Sequence, residues 1–383
     1  MSSSQTYSPF RSVLLREWRR MTSRCLYFGV CIILPLFTLF FMATIFGNGQ
    51  MENIPIGIVD QDNTASSRAI ARNISAVPTF KVTRHFVNEE AARKAVQKKE
   101  IYGYLSIPPK FEQDAISGKN ATLSYYYHYA LLSVGGELMA AFETSLAPVS
   151  LSPIVMQAVA LGVEQDKITT FLLPVQASNH PIYNPSLDYS VYLSQPFFFV
   201  LFQVLILLIT VYAVGIEIKF RTADEWLFVA KGNMVTAVLG KLLPYTIIFI
   251  LIGWLANYVM FGILHIPFQG SWLLMNMLTA LFVVATQALG LFLFSLFPAI
   301  SLIISIVSMV GSLGATLSGV TFPVTNMYPL VRDASYLFPV RHFTEMMQNM
   351  LYGGSGFSPF HLVFLFVLTF CRSCTAEDPL TVI

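Results

Sequence analysis

Residues 189–216 read YSVYLSQPFFFVLFQVLILLITVYAVGI, and none of these 28 residues is acidic or basic. A helix needs about 20 apolar residues to cross a bilayer, and a charge at its centre costs about 2.5–3.5 kcal/mol. Residues 25–51 and 242–331 are also free of charge. The 383-residue chain is 55% hydrophobic and 11% charged, whereas soluble proteins carry about 25% charged residues. These patterns predict a helical membrane protein and exclude a disordered chain.

The apolar runs predict six membrane spans. They lie at Cys25–Phe46, Ser194–Ile216, Leu239–Leu264, Trp272–Leu296, Ala299–Val320 and Pro359–Cys371. A cleaved signal peptide is the alternative for the first run, but its length and the bulky Phe40 and Phe41, without an A-x-A site, favour an uncleaved anchor. The sixth run is short. A short or re-entrant last helix and an altered C-terminus both stay open there, with residues 372–383 as a polar tail.

Most charges lie between the first two spans. Of the 23 basic and 21 acidic residues, 24 fall between Glu52 and Asp188. Strand and helix patterns alternate in this block, followed by a mainly helical stretch. The predicted strands are 53–60, 79–86, 101–107 and 120–128, and the predicted helices are 65–75, 88–98 and 131–171, the last with breaks at Pro148 and Pro153. The fold class we predict is membrane α-helical with six spans. An α+β extracytoplasmic domain, residues 47–193 with a helical stalk, is inserted between spans one and two.

Basic residues near the span ends orient the chain. Five arginines precede span one and four basic residues lie between spans two and three, namely Arg11, Arg16, Arg19, Arg20, Arg24, Lys219, Arg221, Lys231 and Lys241. Both groups predict a cytoplasmic N-terminus and place residues 52–188 outside.

The first 24 residues also carry an amphipathic pattern. Apolar residues recur there at helical spacing between arginines, which predicts a cytoplasmic helix lying in the membrane interface. Its candidate functional residues are Glu17, Trp18, Arg19 and Arg20. A basic flank that only sets the topology is the alternative.

Motifs for covalent, metal or nucleotide chemistry are missing from the sequence. Gly240-Lys241 is followed by leucine, so no phosphate-binding loop is present. Cys371 and Cys374 lack a second pair or nearby histidines for zinc. Asp60 and Asp62 fit a strand-end turn and helix cap better than a metal or catalytic pair. We therefore predict a chain that is not an enzyme and binds no metal or cofactor.

The charge-free blocks contain no carboxylate for proton or sodium coupling. We therefore expect a partner protein to supply the energy. Their polar residues Gln203, Asn257, Asn276 and Gln287 are candidates for a translocation path. Hydrogen bonding between helices is the alternative, and we favour it. The net charge of +2 gives no sign of nucleic-acid binding.

Several short segments follow one another in a recognisable order. Between spans two and three stand Glu217, Thr222, Asp224 and Gly240-Lys241. Elsewhere the order continues with Leu15-Arg-Glu17, Ile56–Asp60, Ile107-Pro108-Pro109, Tyr183-Asn184-Pro185, Ser318-Gly319 and Leu337-Phe338-Pro339. Together they resemble the ABC type-2 transporter permeases, although Lys219 and Arg221 depart from that family's pattern.

The resemblance implies a permease that pairs with a second copy or homologue and with two separate ATPase subunits, which use ATP and Mg. It also implies that residues 217–238 are a coupling segment for the ATPase, with Trp226 and Phe228 as buried anchors. The candidate coupling residues are Glu217, Lys219, Arg221, Thr222, Asp224, Glu225, Trp226 and Phe228. A merely solvated loop is the alternative. Residues 322–354 are expected to form a re-entrant segment of short, broken helices.

A permease of this class is a multi-pass protein of the bacterial inner membrane, and a periplasmic adaptor is a further candidate partner. The function we predict is export of an apolar or amphiphilic substrate, of the drug or lipid class, energised by the partner ATPase. A membrane receptor or sensor whose outer domain binds a ligand is the alternative. The short inside segments leave little room for the output module that a sensor needs.

Overall fold

The computed structural model describes residues 8–45, 49, 51–117, 121–160, 188 and 190–351. Helices and strands alternate only in the first half of the chain. In chain order the elements are α1 (Pro9–Ser23), α2 (Cys25–Ile45), β1 (Ile54–Asp60), α3 (Ala65–Ser75), β2 (Phe80–Phe86), α4 (Glu89–Gln97), β3 (Gly103–Ile107), α5 (Phe111–Ile116), β4 (Ser124–Tyr127), α6 (Leu132–Ala160), α7 (Tyr192–Lys219), α8 (Ala223–Val229), α9 (Met234–Ile263), α10 (Trp272–Leu296), α11 (Ile300–Leu317), α12 (Pro329–Ser335) and α13 (Pro339–Leu351).

Five of the described helices are long and apolar enough to cross a membrane, namely α2, α7, α9, α10 and α11. They correspond to the first five predicted spans, and α10 has the predicted bounds. The run predicted as span six, residues 359–371, and the tail 372–383 lie outside the described residues. The chain divides into a helical unit, Met1–Gly49 with Leu187–Ile383, and a sheet unit, Gln50–Ser186. The placement of either unit relative to a membrane stays a prediction.

The helices that contain spans two and three extend beyond the predicted spans into the predicted coupling segment. The helix that contains span three begins at Met234 instead of Leu239, because the Asn233 side chain caps it by accepting a hydrogen bond from the Thr236 amide at 3.0 Å. At the other end, α7 continues to Lys219 and includes Glu217. Both ends of the segment 217–238 are therefore helical, and only the part around α8 is a separate element.

Aromatic and small side chains hold the long helices together. The Phe343 ring of α13 lies 4.2 Å from Phe199 of α7 and 4.8 Å from Phe282 of α10, between ring centroids. On α11, a Cβ atom at Gly311 would lie 2.6 Å from the Val204 side chain of α7. A glycine at this position therefore permits close approach of the two helices.

The segment after span five consists of short helices, as predicted. A turn at Val324–Asn326 precedes α12 and α13. The two helices differ in burial: α13 places Val340, Phe343 and Met347 fully inside the helical unit, whereas Leu330 of α12 is 74% exposed. A return of this segment into the membrane stays a prediction.

A four-stranded sheet forms the core of the sheet unit, with strand order β2-β1-β3-β4. The first three strands are parallel and β4 is antiparallel to β3. The domain is thus of alternating α/β type, and the α+β description in our prediction is wrong for its first three strands. Parallel strands cannot be joined by a tight hairpin and need a crossover connection, which α3 and α4 provide here.

The helices cover both faces of this sheet. Residues of α3 and α6, such as Ile74 and Phe142, pack with Ile56 on one face. Ala92 and Ala95 of α4 pack with Val59 on the other. The predicted strands and the first two predicted helices are confirmed, with ends that differ by a few residues. By contrast, α6 runs through positions 148 and 153 without a break, and residues 161–187 of the expected stalk lie outside the described residues.

Asp60 and Asp62 have the predicted turn and cap roles. Asp60 Oδ1 accepts from the amides of Asp62 and Asn63 at 3.1 and 3.0 Å, and its Oδ2 accepts from the Ser67 hydroxyl at 2.7 Å. Asp62 Oδ2 accepts from the Thr64 hydroxyl at 2.7 Å and from the Glu112 amide at 3.1 Å. These hydrogen bonds brace the chain where β1 ends and α3 begins.

Candidate functional site

Short connections join α7, α8 and α9. Arg221, between α7 and α8, has a φ of 55°, and Gly232, between α8 and α9, has a φ of 77°. Such left-handed conformations let the chain reverse within a few residues. The seven-residue helix α8 is therefore tied closely to the end of one long helix and the start of the next.

Glu217, at the end of α7, is the centre of a buried ion cluster. Arg16 donates to both of its carboxylate oxygens, at 3.0 and 3.1 Å. Arg20 and the hydroxyl of Thr222 donate to it as well. Two arginines from α1 thus bind the end of α7, and bidentate contacts of this kind are among the stronger hydrogen bonds in proteins.

Lys241 of α9 completes the cluster. Its ammonium group donates to Glu217 Oε1 and to Glu17 Oε2, at 2.7 Å in each case. The other oxygen of Glu17 accepts from the Tyr245 hydroxyl at 2.7 Å. Lys241 and Glu217 are fully buried, and Glu17 is 1% exposed. The cluster, which we define as Arg16, Glu17, Arg20, Glu217 and Lys241, joins three helices that are distant in sequence.

Electrostatics favour the charged form of Arg20 in this cluster. Burial by itself lowers the pKa of the Arg20 guanidinium, but the hydrogen bond and the negative charge of Glu217 outweigh it, so the pKa of Arg20 is raised. Three cations face two carboxylates, and every carboxylate oxygen accepts a hydrogen bond from a described residue. A buried charge is tolerated only when it is paired and hydrogen-bonded in this way.

Trp226 lies inside the chain and not at the surface. It is 6% exposed, its indole N–H donates to the Ala237 carbonyl at 3.2 Å, and the Lys241 ammonium lies 5.1 Å from its ring centroid. The structure covers Trp226 with its own chain, and these contacts attach α8 to α9. A role of Trp226 as an anchor for a partner stays a prediction.

Most of the other predicted coupling residues are exposed on α8 or just before it. Phe228 is 83% exposed, and Lys219, Arg221, Asp224 and Glu225 are exposed around it. Thr222 is half-buried and directed to Glu217. The structure thus divides the predicted set into an inner group, Glu217, Thr222 and Trp226, and an outer group around Phe228.

The N-terminal helix α1 is divided in the same way. Glu17 is buried and Arg20 belongs to the cluster, while Trp18 is 48% exposed and Arg19 is exposed. Against α9, the helix lies so close that a Cβ atom at Gly240 would be 3.0 Å from Val13. The amphipathic pattern of α1 thus covers a protein contact on its buried side, and a position in the membrane interface stays a prediction.

Three members of this site were not predicted as site residues: Arg16, Lys241 and Tyr245. Lys241 was treated as a topology signal at the edge of an apolar run. One signal was available in the sequence. A lysine that begins an apolar run of more than 20 residues needs a partner when its helix is buried. The two partners of Lys241 are distant in the sequence: Glu217 is 24 residues away and Glu17 is 224 residues away.

The four residues proposed for a translocation path form contacts between helices. Gln203 Oε1 accepts from the Val340 amide at 2.9 Å, and Gln287 Oε1 accepts from the Thr246 hydroxyl at 2.7 Å. Asn257 Nδ2 donates to Asn276 Oδ1 at 3.1 Å. Hydrogen bonding between helices is the alternative that we favoured for these residues. A role of the four residues in transport stays a prediction.

Five long apolar helices, with the short helix α8 packed at the ends of α7 and α9, define an integral membrane protein. The family profile of the ABC-2 family transporter proteins matches residues 26–372, so the chain belongs to this family. It is a membrane permease subunit of an ABC transporter, a class whose ATPase is a separate partner subunit.

Curated relatives agree with this assignment. The chain is 21% identical over 352 residues to the "Probable multidrug ABC transporter permease YbhS" of Escherichia coli strain K12, covering 90% of this chain and 89% of the relative. It is also 21% identical over 327 residues to the "Inner membrane transport permease YhhJ" of the same strain, covering 81% of this chain and 79% of the relative. A YhhJ permease of Shigella flexneri matches equally.

Proposed function

We propose that this permease exports an apolar or amphiphilic substrate, and that ATPase subunits drive it by binding the outer face of α8. The observation that supports this proposal is that Phe228 is exposed on a helix whose opposite side packs against α7 and α9. An exposed aromatic residue beside charged neighbours is the composition of an interface anchor with a polar rim. The ATPase subunits use ATP and Mg, and this chain supplies no nucleotide site.

Coupling requires that α8 moves together with the long helices. Thr222 and Trp226 supply that link at α8, because Thr222 donates to Glu217 of α7 and Trp226 donates to the Ala237 carbonyl of α9 and lies beside Lys241. The buried ion cluster in turn holds the ends of α7 and α9 together. Force on Phe228 is therefore transmitted to the ends of α7 and α9. Helix α1 follows through Arg16, Arg20 and Glu17.

The substrate class is inferred from the composition of the long helices. Their central parts carry no acidic or basic residue, so a strongly charged or small polar cargo would find no counter-charge there. The name of the YbhS relative refers to multidrug transport, which is compatible with apolar cargo. We propose Gln203, Asn257, Asn276 and Gln287 as polar contacts that change partners during transport.

The arrangement in the cell follows the same proposal. The permease lies in the bacterial inner membrane with its N-terminus and α8 in the cytoplasm and the sheet unit outside. It pairs with a second copy or a homologue, and a periplasmic adaptor meets the sheet unit. The basic residues around α1 and α8 support this orientation.

A test of the coupling face uses Phe228→Ala, with Phe40→Ala as the control. Phe40 is 67% exposed on α2, so it matches Phe228 in type and exposure but is distant in sequence. Each variant is co-expressed with a candidate ATPase, and the retained ATPase and ATP-driven dye uptake into inside-out vesicles are measured. We expect Phe228→Ala to lose at least about tenfold in ATPase retention, since anchor residues contribute about 2 kcal/mol or more.

Dye accumulation in inside-out vesicles corresponds to export in the cell. Equal ATPase retention by Phe228→Ala, Phe40→Ala and the unchanged chain would disprove the docking role of α8. Dye loss from preloaded vesicles on ATP addition would instead disprove the outward direction.

A further inference from the structure

The carboxyl ends of three parallel strands meet at one edge of the sheet unit. Asp60 of β1 is in register with Ile107 of β3, and Val59 is in register with Phe86 of β2. The chain leaves β1 for β2 on one side and later crosses to β3 on the other. In open sheets of this topology, ligands bind in the crevice outside the carboxyl ends of the strands, where the connections diverge.

Two cavities lie at this edge. One, of about 940 Å³, lies between α3 and the end of β2, and the other, of about 710 Å³, lies between the loops that follow β1 and β3. Both are lined by Gln61 and Pro109, so they are neighbours, and we call the two together the groove. Their volumes are in the range of known small-molecule sites, about 300–1,000 Å³.

The acidic residues of this groove are already used by the fold. Asp60 accepts three hydrogen bonds and Asp62 accepts two, all from neighbouring parts of the loop and from α5. Glu112 accepts from the Ser66 hydroxyl at 2.5 Å. The oxygens that accept these hydrogen bonds brace the loops that line the groove.

Two of the three basic residues of the larger cavity have side chains that are not used in this way. Arg68 and Arg72 stand one turn apart on α3 and His85 lies near the end of β2, and all three line the larger cavity. Arg68 donates to the Asn63 carbonyl at 2.8 Å. Among the described residues, the side chains of Arg72 and His85 have no hydrogen-bond or ion-pair partner. The groove therefore presents unpaired donors suited to a carboxylate or phosphate.

An apolar surface borders these donors. Val87 is 90% exposed and Phe86 is half-buried, and both line the same cavity, as does Ala71 of α3. An exposed valine beside unpaired cations fits a ligand that has an anionic head and an apolar body. A purely inorganic anion would leave this surface in contact with water.

We infer that this groove is a binding site for an anionic amphiphile, a molecule with a phosphate or carboxylate head and a short apolar chain. The head is held by Arg68, Arg72 and His85, and the chain lies on Phe86 and Val87. The site does not depend on the proposed export function, because it is formed entirely by the sheet unit.

The test measures hexyl phosphate binding to the purified full-length chain in phosphatidylcholine nanodiscs, by isothermal titration calorimetry. We expect Arg72→Gln combined with His85→Gln to weaken binding at least about tenfold. The control Lys81→Gln should change binding less than about twofold, since Lys81 is an exposed cation of β2 that does not line the groove. Unchanged thermal midpoints of the variants show that the fold is intact.

Further arms test the two halves of the ligand. Val87→Ser should weaken hexyl phosphate binding and leave inorganic phosphate binding unchanged. Equal binding of hexyltrimethylammonium, or equal affinity for inorganic phosphate and hexyl phosphate, would overturn the inference. Stronger binding of a hexaglutamate peptide would also overturn it and would indicate an acidic protein segment.

The source of the ligand is identified by adding phosphatidic acid to the nanodiscs. Competition with hexyl phosphate supports the site with a membrane lipid as its ligand, and lack of competition supports it with a diffusible amphiphile. No ATPase is present in this experiment, so its failure is separate from a failure of the export proposal.

Discussion

Lys241 is a fully buried cation shared by two carboxylates, and its surroundings explain why it is tolerated in an apolar helix. Its ammonium group has Glu17 and Glu217 as acceptors at 2.7 Å and the Trp226 ring as a further neighbour. The desolvation of such a group is costly, and only this complete set of partners offsets it. At this position a single substitution therefore affects several helices.

We predict that Lys241→Met destabilises the protein by about 3–5 kcal/mol, the usual effect of removing one partner from a buried ion pair. Glu17 then keeps the Tyr245 hydroxyl but loses its closest cation. The measurement is the thermal unfolding midpoint in detergent. Lys231→Met is the control, because Lys231 is exposed between α8 and α9.

A second variant separates charge from packing. Glu17→Gln combined with Lys241→Met removes one of the stranded carboxylates, so it should recover part of the lost midpoint relative to Lys241→Met alone. A midpoint of Lys241→Met equal to that of the unchanged protein would contradict the account of the cluster.

Helix α1 is an element whose docking depends on one glycine. The backbone of α9 approaches it at Gly240, where a Cβ atom would lie 3.0 Å from Val13 and 3.3 Å from the Phe10 carbonyl oxygen. The ion cluster lies directly beside this contact. Close packing and charge pairing therefore position α1 together.

We predict that Gly240→Leu releases α1 from α9, because the added side chain has no space. Trypsin cleavage within α1, monitored by mass spectrometry in detergent, should accelerate at least about tenfold, equivalent to about 1.4 kcal/mol of easier local opening. Gly29→Leu is the control, since no atom lies within 4 Å of a Cβ atom at Gly29. The same cleavage rate in both variants would show that α1 is not held by this contact.

Helix ends show how far local sequence information reaches. Asn88 was predicted to begin a helix, and its side chain accepts from the Ala91 amide at 2.9 Å. The start of α9 was missed, although Asn233 caps it in the same manner. The difference is that hydropathy defined the predicted span, and the polar first turn of α9 lies outside the apolar run.

For the molecule as a whole, the topology is the most direct prediction to check. In a variant with serine at all four cysteine positions, we introduce Lys98→Cys or Lys231→Cys, both at exposed positions. A membrane-impermeant maleimide on intact spheroplasts should label the cysteine at position 98 and not that at position 231, since basic flanks stay inside. Labelling at 231 alone would reverse the proposed orientation.

Hydropathy, charge distribution and turn residues were sufficient to predict five long helices, the inserted sheet unit and most of its strands. These features follow from local solvation and backbone preference, which neighbouring residues decide. The resemblance to permeases also rested on short segments in order. The sixth predicted span lies outside the described residues and stays a prediction.

Three features were decided only by the tertiary structure. They are the cluster of Glu17, Glu217 and Lys241, the inward position of Trp226 and the groove at the sheet edge. Their residues come from separate helices or strands, and which charge meets which is decided by how those elements pack. Burial then determines the outcome: a buried lysine must find acceptors, and a tryptophan already covered by its own chain leaves Phe228 as the exposed aromatic of α8.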